Sequence, residues 1–185
     1  MGKPWQFQKW RLNNNPIPEI PQIVEEAKSI TKPRSAALFC ILYLTAGRVS
    51  EVIEIRRRNL SVESINDRPI FKIQLPNRKH RNRKWKVIPI PLDNEYYLEM
   101  FRIIKDYAKL IDREDLLFPI TKRRAQKIIE NEFNMNAHLF RHIRLTHLAH
   151  MGFSDQELIL YSGWTDSRAA KNYIHLRWRD LINKL

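Results

Sequence analysis

Residues 36–55 read AALFCILYLTAGRVSEVIEI, and their pattern indicates the central elements of the fold. Its first half is apolar on every side, which predicts a central helix over residues 31–45. Gly47 interrupts the pattern, and apolar residues return at helical spacing over residues 49–57. The stretch therefore predicts two helices joined at a glycine, with Arg48 placed at the break.

The sequence on either side of this stretch predicts further helices and a small sheet. Residues 68–75 alternate around apolar positions and stop at a proline, and residues 85–90 are rich in residues that favour strands and also end in prolines. A very basic loop over residues 77–84 lies between them, so the two segments are predicted to form two paired strands. Capping residues and glycines delimit helices expected over residues 21–29, 93–110, 121–133, 137–151, 154–163, 166–174 and 177–184. The predicted fold class is mainly α with a small antiparallel β-sheet (α+β).

Charge is the most unusual property of the chain, with a formal net charge of +13 and a pI of about 10.1. Such an excess attracts polyanions, so nucleic acid is the favoured partner, and the alternative is a highly charged surface without a specific partner. Cys40 is the only cysteine, which excludes an internal disulfide. No apolar stretch approaches the length of about 18 residues that a membrane span needs. We therefore expect a cytoplasmic protein with no membrane partner.

Three segments suited to phosphate chemistry lie far apart in the sequence, and the first and last of them contain Arg48 and Trp164. Arg48 follows a glycine at the helix break, where it either pairs with a neighbour such as Glu51 or binds an anion. Residues 162–165, Ser-Gly-Trp-Thr, precede Tyr173. Trp164 directly follows a helix-ending glycine and carries one N–H donor, although a core tryptophan is the alternative.

The remaining segment is the helix expected from residue 137. His138 and Arg141 lie three residues apart and share one helix face, which places an imidazole beside a permanent cation. A solvent-facing surface with scattered basic groups is the alternative. His138 and His142 also raise the possibility of a zinc site, but no cysteine or acidic ligand stands at a useful spacing.

Together these segments resemble the tyrosine recombinase family, which includes phage integrases and the Xer- and Cre-like enzymes. Residues 45–51, Thr-Ala-Gly-Arg-Val-Ser-Glu, match the family's Thr-Gly-x-Arg-x-Ser-Glu-like motif, with Ala-Gly where the family often has Gly-Leu. His138 and Arg141 match its His-x-x-Arg motif, and residues 163–164 match its Gly-His/Trp pair. Tyr173 follows that pair at the family's spacing of nine residues. The resemblance implies the tyrosine recombinase catalytic-domain fold.

The resemblance also implies a reaction and roles for the site residues. Tyr173 would attack a DNA phosphodiester and form a 3′-phosphotyrosyl bond. Arg48 and Arg141 would bind the phosphate, and His138 would manage the tyrosine proton or hold an oxygen. Glu51 would orient Arg48. No metal ion or other cofactor is expected, because these cations can stabilise the transition state.

The sequence departs from the family pattern at two places. Trp164 replaces the commoner histidine, as in Cre-like enzymes, and would add one N–H bond to the phosphate. The loop between the two strands is longer than usual, and it should hold the lysine that acts as general acid. Lys79 is the first candidate for that lysine, and Lys84 is the alternative. The other basic residues in and beside the loop are expected to contact DNA phosphates or solvent: Arg78, Arg81, Arg83 and Lys86.

Double-stranded DNA is the expected partner. Basic residues outside the site should hold its phosphates, or else face solvent as ordinary helix residues: Arg56, Arg57, Arg58, Lys122, Arg123 and Arg124. The resemblance implies a homotetramer on synapsed DNA and a monomer free in solution, with residues 177–185 as a contact between protomers.

The expected domain organisation is an arm or linker over residues 1–16 and a catalytic domain over residues 17–185. Family members usually carry an N-terminal DNA-clamping domain of about 100 residues, and we expect this chain to lack it, as a truncated protein or a minimal single-domain enzyme. The predicted function is site-specific recombination or integration. The alternatives are a topoisomerase-like enzyme that relaxes DNA by the same chemistry and a DNA-binding regulator without catalysis.

Overall fold

The computed structural model describes residues 17–76, 85–133 and 135–164. The described helices are α1 (Ile20–Ser29), α2 (Pro33–Thr45), α3 (Val49–Val52), α4 (Glu95–Ala108), α5 (Lys122–Phe133), α6 (Ala137–His150) and α7 (Asp155–Ser162). The strands are β1 (Leu60–Ile65), β2 (Arg68–Pro76) and β3 (Trp85–Pro91), and Arg57–Asn59 form a 3-10 turn. The predicted class, mainly α with a small antiparallel sheet, is confirmed. Among these residues, no helix combines the length and the apolar character needed to cross a membrane.

Helix α2 is the centre of the fold, because every side chain from Ser35 to Thr45 is buried. A helix that is apolar on all sides must be covered on all sides, and α1, α4 and α6 pack around it. The ring of Phe39 meets the rings of Phe133 and Phe140 edge-on, with centroids 5.2 and 4.9 Å apart. Cys40 is fully buried in this core.

The sheet is an antiparallel meander with the strand order β1-β2-β3. The two predicted strands are confirmed, each one residue longer than expected. Strand β1 was not predicted, although Leu60 and Val62 alternate with polar residues. Asn66 and Asp67 form the hairpin turn between β1 and β2, at φ values of 51° and 60°. Asparagine and aspartate tolerate this left-handed conformation better than other L-residues, so the pair was an available hairpin signal.

The predicted helix over residues 49–57 is wrong beyond Val52. After α3 the backbone pairs with a segment that follows α4, since the Leu117 N–H donates to the Ile55 carbonyl at 2.8 Å. The Arg57 N–H donates to the Asp115 carbonyl at 3.0 Å in the same way. These bonds replace the helical ones, and local periodicity does not reveal them because the partner segment is distant in sequence.

A buried histidine ties the first described residues to the core. Tyr43 Oη lies 2.8 Å from His147 Nδ1, and His147 Nε2 lies 2.9 Å from the Pro18 carbonyl oxygen. A carbonyl only accepts, so Nε2 donates, and the neutral ring accepts the Tyr43 hydroxyl at Nδ1. Burial lowers the pKa of His147 to about 4, opposed by the Pro18 bond and reinforced by the Arg144 cation. The folded protein therefore holds His147 neutral at neutral pH.

We predict that this histidine makes the protein less stable in mildly acidic solution. Its ordinary pKa is 6.5 and its folded pKa is about 4, so the unfolded chain takes up the proton first as the pH falls. The neutral histidine therefore adds to the free energy of unfolding in full above pH 6.5. This stabilisation is lost as the pH falls towards 4, and the loss is at most about 3 kcal/mol. Urea unfolding at several pH values measures this loss.

His147→Gln is the matched variant, because its amide keeps a donor for the Pro18 carbonyl. It should lose the part of the pH dependence that wild type shows between neutral pH and pH 4. An equally steep loss of stability in both proteins would show that another group is responsible.

Candidate active site

The segments around Arg48 and Arg141 meet in one cleft. The break between α2 and α3, the first turn of α6 and one side of α5 enclose a cavity of about 300 Å³. The side chains that give this cavity its chemistry are Arg48, Lys122, Gln126, Glu130, His138 and Arg141. The fold thus joins two segments that the sequence separates widely.

Arg48 is held by an acid three residues further along the chain. Glu51 accepts the Arg48 backbone N–H at 3.0 Å and its Nη1 at 2.8 Å. The Glu51 side chain is 1% exposed, whereas that of Arg48 is 25% exposed. A buried carboxylate is stable only when it is paired, so Glu51 holds the arginine in place while part of the guanidinium faces the cleft.

Arg141 is buried and joins two parts of the chain through backbone carbonyls. Its Nη1 donates to the Ala46 carbonyl at 2.6 Å, and its Nη2 donates to the Ser162 carbonyl at 3.0 Å. These carbonyls lie at the ends of α2 and α7, where the helices cannot satisfy them internally. One side chain therefore caps two helices, and a guanidinium with five N–H donors has the capacity to bind a phosphate as well.

Trp164 lies against Arg141, with its ring centroid 5.2 Å from the guanidinium carbon. Gly163 ends α7 at a φ of 70°, the left-handed conformation that glycine adopts without strain. The Trp164 backbone N–H then bonds Ser162 Oγ at 3.2 Å. An aromatic face attracts a cation by about 0.5–2 kcal/mol, so the indole helps to orient Arg141.

His138 is exposed in the first turn of α6, on the wall of the cleft. Asn136 caps this helix by accepting the Leu139 N–H at 3.0 Å. The positive end of the helix dipole therefore adds to the attraction of an anion. His142 lies one turn further on, where burial, and then the neighbouring His138 and Arg141, lower its pKa. Within the described part of the chain, no three His, Cys, Asp or Glu side chains gather as a metal site.

Lys86 is buried, so the expectation that it contacts DNA phosphates or solvent is wrong. Strand β3 alternates, so Trp85 and Val87 point outward while Lys86 shares the buried face with Ile88. The Lys86 ammonium lies 3.6 Å from Glu51 Oε2. The alternation of side chains along the strand sets the direction of the Lys86 side chain, and its closeness in sequence to the basic loop has no effect on it. The alternation of β3 was the signal that could have placed it.

The remaining predicted site and DNA-binding residues have three outcomes: some lie beside the cleft, others lie away from it, and the rest fall outside the described residues. Arg123 and Arg124 are exposed in the first turn of α5, beside Lys122, which lines the cavity. Arg56 donates to the Glu114 carbonyl, away from the cavity. Outside the described residues lie the arm over residues 1–16, the helices predicted beyond residue 165, and Arg78, Lys79, Arg81, Arg83, Lys84 and Tyr173.

A buried arginine that was not predicted, Arg144, lies behind the site. Arg144 is 2% exposed, and the rings of Tyr43, Tyr97 and Tyr161 surround its guanidinium at 5.0 to 5.6 Å. Its Nη1 donates to Tyr97 Oη at 2.8 Å. Arg144 follows the buried Phe140 by four residues, so helical periodicity could have shown that it faces the core.

Tyr161 is one of the three tyrosines around Arg144 and is unsuited to act as a nucleophile. Its hydroxyl donates to the Leu44 carbonyl and accepts from Arg144 Nε at 3.2 Å. Burial raises the pKa of Tyr161, against the effect of the neighbouring Arg144. Tyr161 therefore stabilises the join between α2 and α7.

We predict that Gly47→Ala destabilises the turn that carries Arg48. A methyl group there would stand 2.8 Å from Thr45 Oγ1, 2.9 Å from Leu75 Cδ1 and 3.0 Å from Val52 Cγ2. These neighbours are buried, so the added carbon should cost about 1–3 kcal/mol of unfolding free energy. Urea unfolding at neutral pH measures the change.

Ala46→Gly is the matched control for Gly47→Ala. Ala46 adopts a left-handed φ of 46°, a conformation that costs an L-residue about 1–2 kcal/mol. Glycine should relieve this cost and leave the protein equally or more stable. Equal destabilisation by both exchanges would contradict the steric explanation. The same position is the one at which the resembling motif often has glycine.

Comparison with known proteins identifies the fold. The sequence profile of the phage integrase family matches residues 11–179. No curated protein is similar enough in sequence to count as a relative. The XerH site-specific recombinase, in a pre-cleavage complex with its difH substrate, is similar with a TM-score of 0.67 and 18% identity.

Two further structures show the same likeness. The XerA recombinase has a TM-score of 0.64 and 14% identity, and the integrase from mycobacterium phage Brujita has 0.58 and 16%. The matches cover 89%, 89% and 93% of this chain, and 50%, 62% and 57% of XerH, XerA and the Brujita integrase. The chain therefore spans about half the length of these proteins. The predicted tyrosine recombinase catalytic-domain fold is confirmed.

Proposed function

The chain belongs to the phage integrase family, and on this premise we propose that it is the catalytic domain of a tyrosine site-specific recombinase. In this proposal residues 17–185 form the domain and residues 1–16 form an arm. The enzyme breaks double-stranded DNA at a specific site and rejoins it to another end, which integrates or exchanges DNA segments.

The convergence of Arg48 and Arg141 with His138 on one cleft is the observation that carries this proposal. When a phosphodiester is attacked, negative charge builds up on its two non-bridging oxygens. A guanidinium can bind two oxygens at once and keeps its charge at any physiological pH. Two arginines held by Glu51 and by backbone carbonyls are thus already oriented for that charge.

The proposed reaction is a transesterification at phosphorus. Tyr173 Oη forms a bond to phosphorus, and the bond from phosphorus to the 5′-oxygen breaks. His138 manages the tyrosine proton, while the leaving 5′-oxygen receives a proton from a loop lysine, with Lys79 as the first candidate and Lys84 as the alternative. The 3′-phosphotyrosyl bond retains the energy of the broken diester, so a new 5′-hydroxyl can reverse the step and join the strands.

DNA would approach over α5 and the mouth of the cleft. Lys122 lines the cavity, and the neighbouring Arg123 and Arg124 are exposed at the same end of the helix. These residues would bind backbone phosphates and set the position of the duplex without reading bases. We propose that the protein assembles as a tetramer on synapsed DNA, with residues 177–185 as a contact between protomers.

Covalent capture of DNA tests this function. The protein is incubated with a library of nicked duplexes, enriched for binding, from which the short 5′-hydroxyl fragment escapes after cleavage. We expect a protein–DNA adduct on a denaturing gel, and peptide mapping should find the nucleotide on Tyr173. A protein that binds these duplexes without forming an adduct, or an adduct on another residue, would overturn the proposal.

A further inference from the structure

Polar contacts through Lys86 connect the two arginines of the cleft in a closed ring. Glu51 accepts Arg48 Nη1 at 2.8 Å and lies 3.6 Å from the Lys86 ammonium. The Ser162 carbonyl accepts Lys86 Nζ at 3.4 Å and Arg141 Nη2 at 3.0 Å. Arg141 Nη1 closes the ring on the backbone carbonyl two residues before Arg48. Glu51 and the Ser162 carbonyl thus each serve one arginine and the same lysine.

We propose that Lys86 is a positioning residue of the reaction, which holds Glu51 and the Ser162 carbonyl and thereby fixes Arg48 and Arg141 relative to each other. This inference rests on the proposed function, because the two guanidiniums must share one phosphate. An error of about 1 Å in such an arrangement can cost on the order of 10²-fold in rate.

The burial of Lys86 supports a specific role. Its side chain is 7% exposed, in register with Leu75 of β2 and on the same face as Ile88. An ammonium removed from water is costly unless it is paired, and the cost here is offset only by Glu51 and the Ser162 carbonyl among the contacts that the structure describes. Lys72, by contrast, lies on the opposite face of β2 and pairs with Glu63 on the neighbouring strand.

Three charged side chains lie around Lys86. Glu51 belongs to α3, Arg48 directly precedes α3, and Arg141 belongs to α6. The end of α7 contributes the uncharged Ser162 carbonyl. Burial lowers the pKa of Lys86 to about 8, with Glu51 opposing the shift and Arg141 and Arg48 adding to it. The ammonium is therefore charged at neutral pH and loses its proton as the pH rises through about 8. A phosphate in the cleft would favour the charged form and move this loss to higher pH.

Three variants test the proposal in single-turnover cleavage of the nicked duplex. Lys86→Met should slow cleavage by about 10²-fold, whereas Lys86→Arg should recover most of the rate because it keeps a cation between the two acceptors. Lys72→Met, which removes a lysine from the other face of the same sheet, should cleave as wild type does. Lys86→Met that cleaves as fast as Lys72→Met would overturn the proposal.

The alkaline limb of the pH profile distinguishes positioning from simple folding. Wild-type cleavage should fall as Lys86 loses its proton, and in Lys86→Arg this fall should move to higher pH because arginine stays charged. Thermal unfolding of each variant shows whether it is folded. An identical alkaline limb in wild type and Lys86→Arg would count against Lys86, even if Lys86→Met did not fold.

A substrate with sulfur at the 5′-bridging position separates positioning from acid catalysis. Its thiolate leaves without a proton, so it restores the rate of a variant that lacks the general acid. Lys86→Met should remain slow on this substrate. Restoration to the wild-type rate would make Lys86 the general acid and would overturn the positioning role.

Arginine NMR tests the ring without any reaction, so it remains decisive even if wild type forms no adduct and the proposed function fails. With ¹⁵N-arginine labelling, the ion pair with Glu51 should hinder rotation of the Arg48 guanidinium and give separate Nη signals. Lys86→Met should free this rotation and merge the signals, while Lys72→Met should not. Signals that stay separate in Lys86→Met would overturn the inference.

Discussion

Tyr173→Phe is expected to abolish covalent attachment to DNA, with a loss of at least about 10⁴-fold in adduct formation. Phenylalanine lacks the oxygen that would bond to phosphorus, so the proposed attack cannot take place. Binding of an uncleaved duplex should remain close to wild type. Single-turnover incubation with the nicked duplex, resolved on a denaturing gel, measures the adduct.

Tyr96→Phe on α4 is the matched control, since it removes a partly exposed tyrosine hydroxyl away from the cleft and should form the adduct normally. An adduct that persists in Tyr173→Phe would sink the assignment of the nucleophile. Tyr161 would be a poor replacement, because its hydroxyl is already bonded to the Leu44 carbonyl and to Arg144 inside the core.

Arg141→Lys is expected to reduce cleavage by about 10²–10³-fold although it keeps the positive charge. A lysine ammonium cannot reproduce a planar guanidinium that bonds the Ala46 and Ser162 carbonyls and still faces a phosphate. The carbonyls that lose a donor should each cost about 1–3 kcal/mol of stability. Single-turnover cleavage and urea unfolding measure the two effects separately.

Arg102→Lys provides the control, because Arg102 lies on the exposed side of α4 and pairs only with Glu99 among its described contacts. It should change neither the cleavage rate nor the unfolding free energy by much. If Arg141→Lys cleaved as fast as Arg102→Lys, the guanidinium of Arg141 would have no special role in binding the phosphate.

Local signals predicted much of the helical framework. Ser154 and Glu157 form the capping box that opens α7, and Gly163 closes that helix in the left-handed conformation. Thr121 precedes α5 and bonds the Arg124 N–H at 3.2 Å. These signals are reliable because a helix end needs partners for its unpaired groups within a few residues, so the cause lies next to its effect.

The predicted elements were wrong where the hydrogen-bonding partner is distant in the sequence. The helix predicted over residues 49–57 stops early because its backbone bonds to residues after α4. Strand β1 was missed because a three-residue alternation is a weak signal until β2 is known to lie beside it. Lys86 was predicted to contact DNA phosphates or solvent because its sequence neighbours are basic, yet the pairing with Leu75 turns it inward.

Composition, apolar periodicity and motif spacing are properties of the chain, so they predicted the class of fold, the central place of α2 and the candidate residues Arg48, His138 and Arg141. How these residues are held depends on the packing of the elements. The packing of α6 and α7 against the end of α2 gives Arg141 its two carbonyls, and the register of β3 delivers Lys86 to Glu51. Each of these contacts joins groups from different elements, so its geometry exists only after the elements have packed.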